Sequence, residues 1–214
     1  MTTKLSLYNG ALVVLGETKL ATVTDNVVSR KKLDDIWDNN LRERVLEHGQ
    51  WNFAARSVQL EFSPSTTPSF GYTYAFDKPT DFVRTMAVCS DVYYDQPIIR
   101  IADEANWWFT DLDTIYVKYV SKDTQWGLDL SLWPGGFTEY VEHYLAWKVA
   151  PRLTGVTESA EHWEKLKDRM LLAAKSIDAM ESSAKFAPRG GWGRSRAGFR
   201  GGNHDRGSRS QLIG

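Results

Sequence analysis

The sequence has little of what disulfide frameworks, membrane spans and active sites are made from. One cysteine, Cys89, in 214 residues excludes an internal disulfide. It stands in the apolar run Met86-Ala87-Val88-Cys89, where a buried, inert thiol is expected. No apolar run approaches the roughly 20 residues needed to span a bilayer. The start, Met1-Thr2-Thr3-Lys4, leads straight into an amphipathic pattern and has no signal-peptide apolar region. The expectation is a protein made and used in a reducing, soluble setting. The four His are scattered, and no Gly-x-Ser-x-Gly, P-loop, Gly-x-Gly-x-x-Gly or His-Glu-x-x-His motif occurs. Glu139/His143 and Glu158/His162 each have the i, i+4 spacing that could supply two metal ligands. The same spacing is that of an ordinary surface polar pair, and that reading is preferred. Asp34-Asp35 and Asp111/Asp113 are read as solvated helix-face or turn carboxylates. The expectation is no catalytic residue, no metal and no cofactor.

What is present is a globular body and an unusual end. Hydrophobic residues make up 42% and charged residues 25%, the balance of a chain that can bury a core. Nine Trp are many, and Trp serves both cores and interfaces. The net charge of −1 hides a split. From Phe186 to Gly214 there are six Arg and one Asp, about +5, which leaves the body at about −6. Eight of the sixteen Gly lie between Gly190 and Gly214, so this stretch cannot bury enough apolar area to fold alone.

The periodicity predicts an α+β body at 1–185. Helix one spans 4–16, with Leu5, Tyr8, Leu12 and Leu15 on one stripe, Thr3 as cap and Gly16 as stop. Gly10 inside it implies another backbone packed closely there. Helix two spans 26–48, capped by Asp25 and ended by Gly49. Short strands follow at 55–62, 71–76, 82–89, 97–101, 106–110 and 113–121. Ile115, Val117 and Tyr119 alternate with Tyr116, Lys118 and Val120, so one face of the last strand is buried and the other partly so. Pro134-Gly135-Gly136 breaks the chain before helix three at 136–153. Thr157 caps helix four at 158–183, where Trp163, Leu166, Met170, Ala173, Ile177 and Met180 take the a/d spacing of a helix lying along another. The expected architecture is a four-helix bundle from the two terminal helix pairs, with an antiparallel β-sheet or small barrel inserted at 51–125.

The 186–214 stretch is read as an extended Arg/Gly-rich arm. Arg189, Arg194, Arg196 and Arg200 supply guanidinium forks for carboxylates or phosphates. Trp192 and Phe199 supply aromatic anchors. Such an arm could grip an acidic protein surface or a nucleic acid.

Three landmarks in order carry a resemblance. They are Leu7-Tyr8-Asn9-Gly10-Ala11-Leu12-Val13-Val14-Leu15-Gly16-Glu17, then Val45-Leu46-Glu47-His48-Gly49-Gln50-Trp51-Asn52-Phe53-Ala54-Ala55-Arg56, then Gly71-Tyr72-Thr73-Tyr74-Ala75-Phe76-Asp77-Lys78-Pro79-Thr80-Asp81-Phe82-Val83-Arg84. The sequence resembles the head-to-tail adaptor, or tail tubular protein A, family of short-tailed bacteriophages. The resemblance implies a non-enzymatic structural protein of the virion, made in the host cytoplasm and placed at the head–tail junction. It implies a homo-oligomeric ring, commonly of twelve subunits, beneath the portal protein and around the DNA exit channel. Genomic DNA would pass without specific binding, and no membrane is involved. The β-region would face the next tail component, a nozzle or tail tube. The arm, with Arg189, Trp192, Arg194, Arg196, Phe199 and Arg200, would bind the portal. The arm here is more Gly-rich than that pattern. Two rivals are a nucleic-acid-binding module using an RGG-like C-terminal tail and a virion-borne cell-wall hydrolase; the second is disfavoured because no acid/base pair stands out. The isolated protein is expected to be monomeric or weakly associated and to form its ring on the portal.

Overall fold

Thr3 opens the first helix. Its hydroxyl accepts from the Ser6 N–H, the Ser6 hydroxyl accepts from the Thr3 N–H, and this reciprocal capping box fixes the start of α1 (Lys4–Leu15). Gly16 ends it in the left-handed region at φ 76°. The computed structural model describes residues 2–69, 71–154 and 160–181, which lie within one compact unit, Met1–Ser182. The proposed arm, with all six of its contact residues, lies outside the described residues, as do Thr157 and Glu158.

The predicted second helix is two helices. α2 (Val28–Asp38) and α3 (Leu41–Glu47) are separated at Asn39-Asn40, where Asn40 takes φ 55°. Asn is among the few non-glycine residues that adopt this conformation readily, and two in succession interrupt a helix. Asp25 does not cap α2, which starts after Val27. Its carboxylate instead accepts from the Ala21 and Thr22 N–H groups and the Thr22 hydroxyl, ordering the preceding loop.

The strand block forms two three-stranded antiparallel sheets and no closed barrel. β1 (Ala55–Glu61), β3 (Phe82–Cys89) and β6 (Thr114–Ser121) make the first, in the order β1-β6-β3. β2 (Tyr74–Asp77), β4 (Ala102–Glu104) and β5 (Trp107–Thr110) make the second, in the order β2-β5-β4. The strand expected at 97–101 is absent. Pro97 makes a single bridge to Cys89, Ile99 points to solvent, and the ladder begins only at Ala102. A proline cannot donate to a ladder, so pairing starts beyond it.

Alternation in β6 explains the layering. Ile115, Val117 and Tyr119 are fully buried and cluster with Phe76, Val88 and Trp108, which joins the two sheets face to face. Val120, on the opposite face, joins the helical core. That core is organised by α4 (Gly135–Thr154), against which α1, α2 and α5 (Ala160–Glu181) all pack. Trp51, Phe137 and Tyr140 form its aromatic centre, with Trp51 and Phe137 ring centroids 4.7 Å apart. Three of the nine tryptophans are thus core: Trp51, Trp108 and Trp133 are buried.

Two helix contacts differ from expectation. The neighbour of Gly10 is a side chain and not a backbone: a Cβ there would lie 2.0 Å from the Glu142 carboxyl carbon. In α5 the predicted a/d seam holds only in its first half. Ile177 and Met180 are exposed (46% and 78%), and Ala174 and Asp178 face the body instead. A straight helix at 3.6 residues per turn drifts by about 20° per heptad from a 3.5 repeat, and the contact face drifts with it.

Candidate functional site

Of the sequence-predicted polar pairs, Asp34, Asp111, His143 and His162 make structural contacts. Asp34 accepts from the Tyr8 hydroxyl at 2.8 Å and pairs with Lys4 at 2.8 Å and Arg30 at 2.7 Å, tying α1 to α2. Burial alone would raise its pKa, but the bonds from Lys4 and Tyr8 hold it below the ordinary carboxylate value. Asp111 accepts from the Thr73 N–H and hydroxyl, each at 3.2 Å, at the edge of the second sheet. His143 Nδ1 lies 2.9 Å from the Glu139 backbone carbonyl, and the His162 ring packs edge-on to Trp163. Among the described residues no group of three or more His, Cys, Asp or Glu side chains could hold a metal. No helix among them is long and apolar enough to cross a membrane.

Asp81 was not singled out by sequence, yet it is a hub of the first sheet. It accepts from Arg56 at 3.0 Å, from the Tyr119 hydroxyl at 3.0 Å and from the Ser121 hydroxyl at 2.5 Å. Burial pushes its pKa up, but these bonds outweigh that and hold it low; the Tyr119 phenol is pushed up to about 12 by burial and by the carboxylate.

A polar recess lies where α3 hands the chain to β1. His48, Gly49, Gln50, Trp51 and Asn52 form one wall of an open cleft of about 490 Å³; Arg84 and Met86 of β3 and Lys175, Asp178 and Ala179 of α5 complete it. Local sequence explains the wall. His48 caps α3, and the turn at Asn52–Ala54 reverses the chain into β1. A Cβ at Gly49 would lie 2.7 Å from the Trp51 ring, so only glycine lets the indole tuck beneath the turn.

Asp178 fastens this wall to α5. Its Oδ1 accepts from the Asn52 N–H at 2.9 Å, its Oδ2 from Asn52 Nδ2 at 3.0 Å, and its backbone carbonyl from the same Nδ2 at 2.8 Å. Burial raises the Asp178 pKa, and the Asn52 bond only partly offsets this. On the same wall, His48 Nδ1 is 2.5 Å from the hydroxyl of Tyr140 in the helical core. Burial, and then the nearby Lys167 and Lys175, hold the His48 pKa below its ordinary value, favouring the neutral ring. The Trp51 indole N–H is buried with no hydrogen-bond partner among the described residues.

The recess thus combines two exposed cations, a half-buried imidazole and a buried carboxylate committed to Asn52. No nucleophile is paired with a base, so the arrangement suits holding a polar group and not acid–base chemistry. One signal of it was legible: Asp178 follows Met170 and Ala174 at four-residue steps, a charge on an inward stripe.

The chain matches no protein-family model and no curated protein.

Proposed function

We propose that this chain is a non-enzymatic structural protein of a phage virion, a head-to-tail adaptor that joins the portal to the tail. The observation that carries the reading is the order of the three landmark segments at 7–17, 45–56 and 71–84. Each falls on an element that frames the body: α1, the α3-to-β1 turn, and the β2–β3 segment that passes from the second sheet to the first. The segregated α+β layout supports it, with helices from both ends of the chain meeting on α4 and the strands between them. In this reading the terminal helices act as one four-helix bundle. The ring has twelve subunits around the DNA exit channel, and the sheets face the next tail component. The 186–214 arm docks on the portal through Arg189, Trp192, Arg194, Arg196, Phe199 and Arg200. An arm that orders only on its target loses about 1–2 kcal/mol of backbone entropy per residue, so attachment depends on many copies acting together.

The test is deletion of 186–214. The truncated chain should keep the circular dichroism and melting of the full chain while failing to co-sediment with portal. Normal co-sedimentation refutes the docking role. If truncation abolishes only salt-sensitive DNA binding and leaves portal attachment intact, the RGG-like module reading replaces this one.

A further inference from the structure

The body carries excess negative charge, yet one side of its helical layer gathers cations. Arg44 of α3, Arg152 of α4, Lys175 of α5 and Arg84 of β3 are all exposed. None of them takes part in an ion pair among the described residues. Arg44 bonds the Asn39 side-chain oxygen, and Arg84 bonds the Glu47 backbone carbonyl, so neither charge is neutralised. Between them, Lys148 and Lys167 both lie over the Trp147 ring, at 4.0 Å and 4.4 Å from its centroid. An aromatic face, and not a carboxylate, holds Lys148 in place.

These groups sense one another. Burial, and then Arg44, Lys167 and Arg152, hold the Lys148 pKa below the ordinary lysine value. The acids nearby are Glu47, Asp168 already paired with Lys167 at 2.9 Å, Asp178 committed to Asn52, and Glu181, close enough to act on Asp178. Like charges crowded this way favour a counter-ion with repeated negative charge. The 490 Å³ cleft between Arg84 and Lys175 gives one end of the cationic face the depth to receive an oxyanion.

We infer that the α3–α4–α5 side of the body is a sequence-neutral docking surface for the phosphate backbone of nucleic acid, with Arg84, Arg152 and Lys175 as its main contacts. An acidic protein partner fits less well. Protein interfaces centre on apolar contacts, and the large hydrophobic residues exposed here, Leu172, Ile177 and Met180, are confined to α5, while α3, α4 and β3 expose none among their described side chains. A phosphate backbone needs only cations and donors. The inference does not rest on the adaptor reading, and its test contains no portal.

The experiment is fluorescence anisotropy of the full chain with a labelled random-sequence DNA duplex, titrated across a salt series. R84Q/R152Q/K175Q should flatten the log affinity against log salt slope by about 0.9 for each phosphate no longer neutralised, or about 2.7 in all. At low salt it should also weaken binding more than tenfold. R84K/R152K/K175R should retain the slope. A control with three exposed cations removed elsewhere, K19Q/K31Q/R100Q, should keep the wild-type slope. Three results overturn the inference: no DNA binding by the wild type at low salt, an unchanged slope in R84Q/R152Q/K175Q, or stronger competition by polyglutamate than by unlabelled duplex.

Discussion

Removing the Asp178 carboxylate should loosen α5 from the turn that begins the sheet region. The side chain is 8% exposed and accepts two bonds from Asn52, at 2.9 Å and 3.0 Å. Hydrogen bonds to a charged acceptor contribute about 1.5–3 kcal/mol, but burial of this charge offsets part of that, as its raised pKa records. Asp178→Ala should therefore cost about 2 kcal/mol near neutral pH. For a domain of this size that corresponds to a fall in Tm of about 4–8 °C. Asp178→Asn keeps one acceptor oxygen and should cost less. The pH dependence separates bond from charge. A carboxyl whose folded pKa lies above its unfolded value of 3.8 destabilises the fold when ionised, and this penalty vanishes as pH falls through the folded and then the unfolded pKa. Wild type should therefore gain on Asp178→Asn as pH is lowered from neutral into the carboxylate range. Thermal melts at several pH values read both effects. A Tm for Asp178→Ala equal to wild type, or a wild-type advantage that shrinks on acidification, refutes the reasoning.

Further expectations are independent of this one. Tyr140→Phe deletes the 2.5 Å contact with His48 and should cost about 1 kcal/mol in urea unfolding. Because the His48 pKa is depressed by burial and neighbouring lysines, its contribution is complete above the unfolded value of 6.5 and fades as pH falls below it. His48→Gln should flatten that part of the stability–pH curve, and an unchanged curve would show that His48 is not responsible. Asn40→Ala, at φ 55°, should destabilise by about 1 kcal/mol and Asn40→Gly by less. Gly10→Ala adds helix propensity but drives the Glu142 carboxyl from its place, so it should stabilise more in a Glu142→Ala background than alone. Urea unfolding of the two single variants and the double variant reads that difference.

The helices, most of the strands and the α+β class were legible because each depends on short-range pattern. Thr3 and Gly16 bounded α1, and the alternation at 115–120 marked a strand buried on one face and partly on the other. What was not legible depends on three-dimensional encounter. Asn39-Asn40 lies in a charged stretch whose apolar periodicity continues across the break, so pattern alone joined α2 to α3. The division of the strands into two sheets follows from which faces meet around Trp108 and Tyr119, and no single strand encodes it. The cleft draws on four segments, at 48–52, 84–86, 175 and 178–179, each of which looks ordinary by itself. Only Asp178, out of place on an apolar stripe, hinted at it.

The adaptor reading is tested most directly by mass measurement and imaging of the purified full chain alone and with portal. The account predicts a monomer or weak associate in isolation and a closed ring of twelve copies on the portal. A stable ring without portal, or a portal that recruits no copies of this chain, would contradict it.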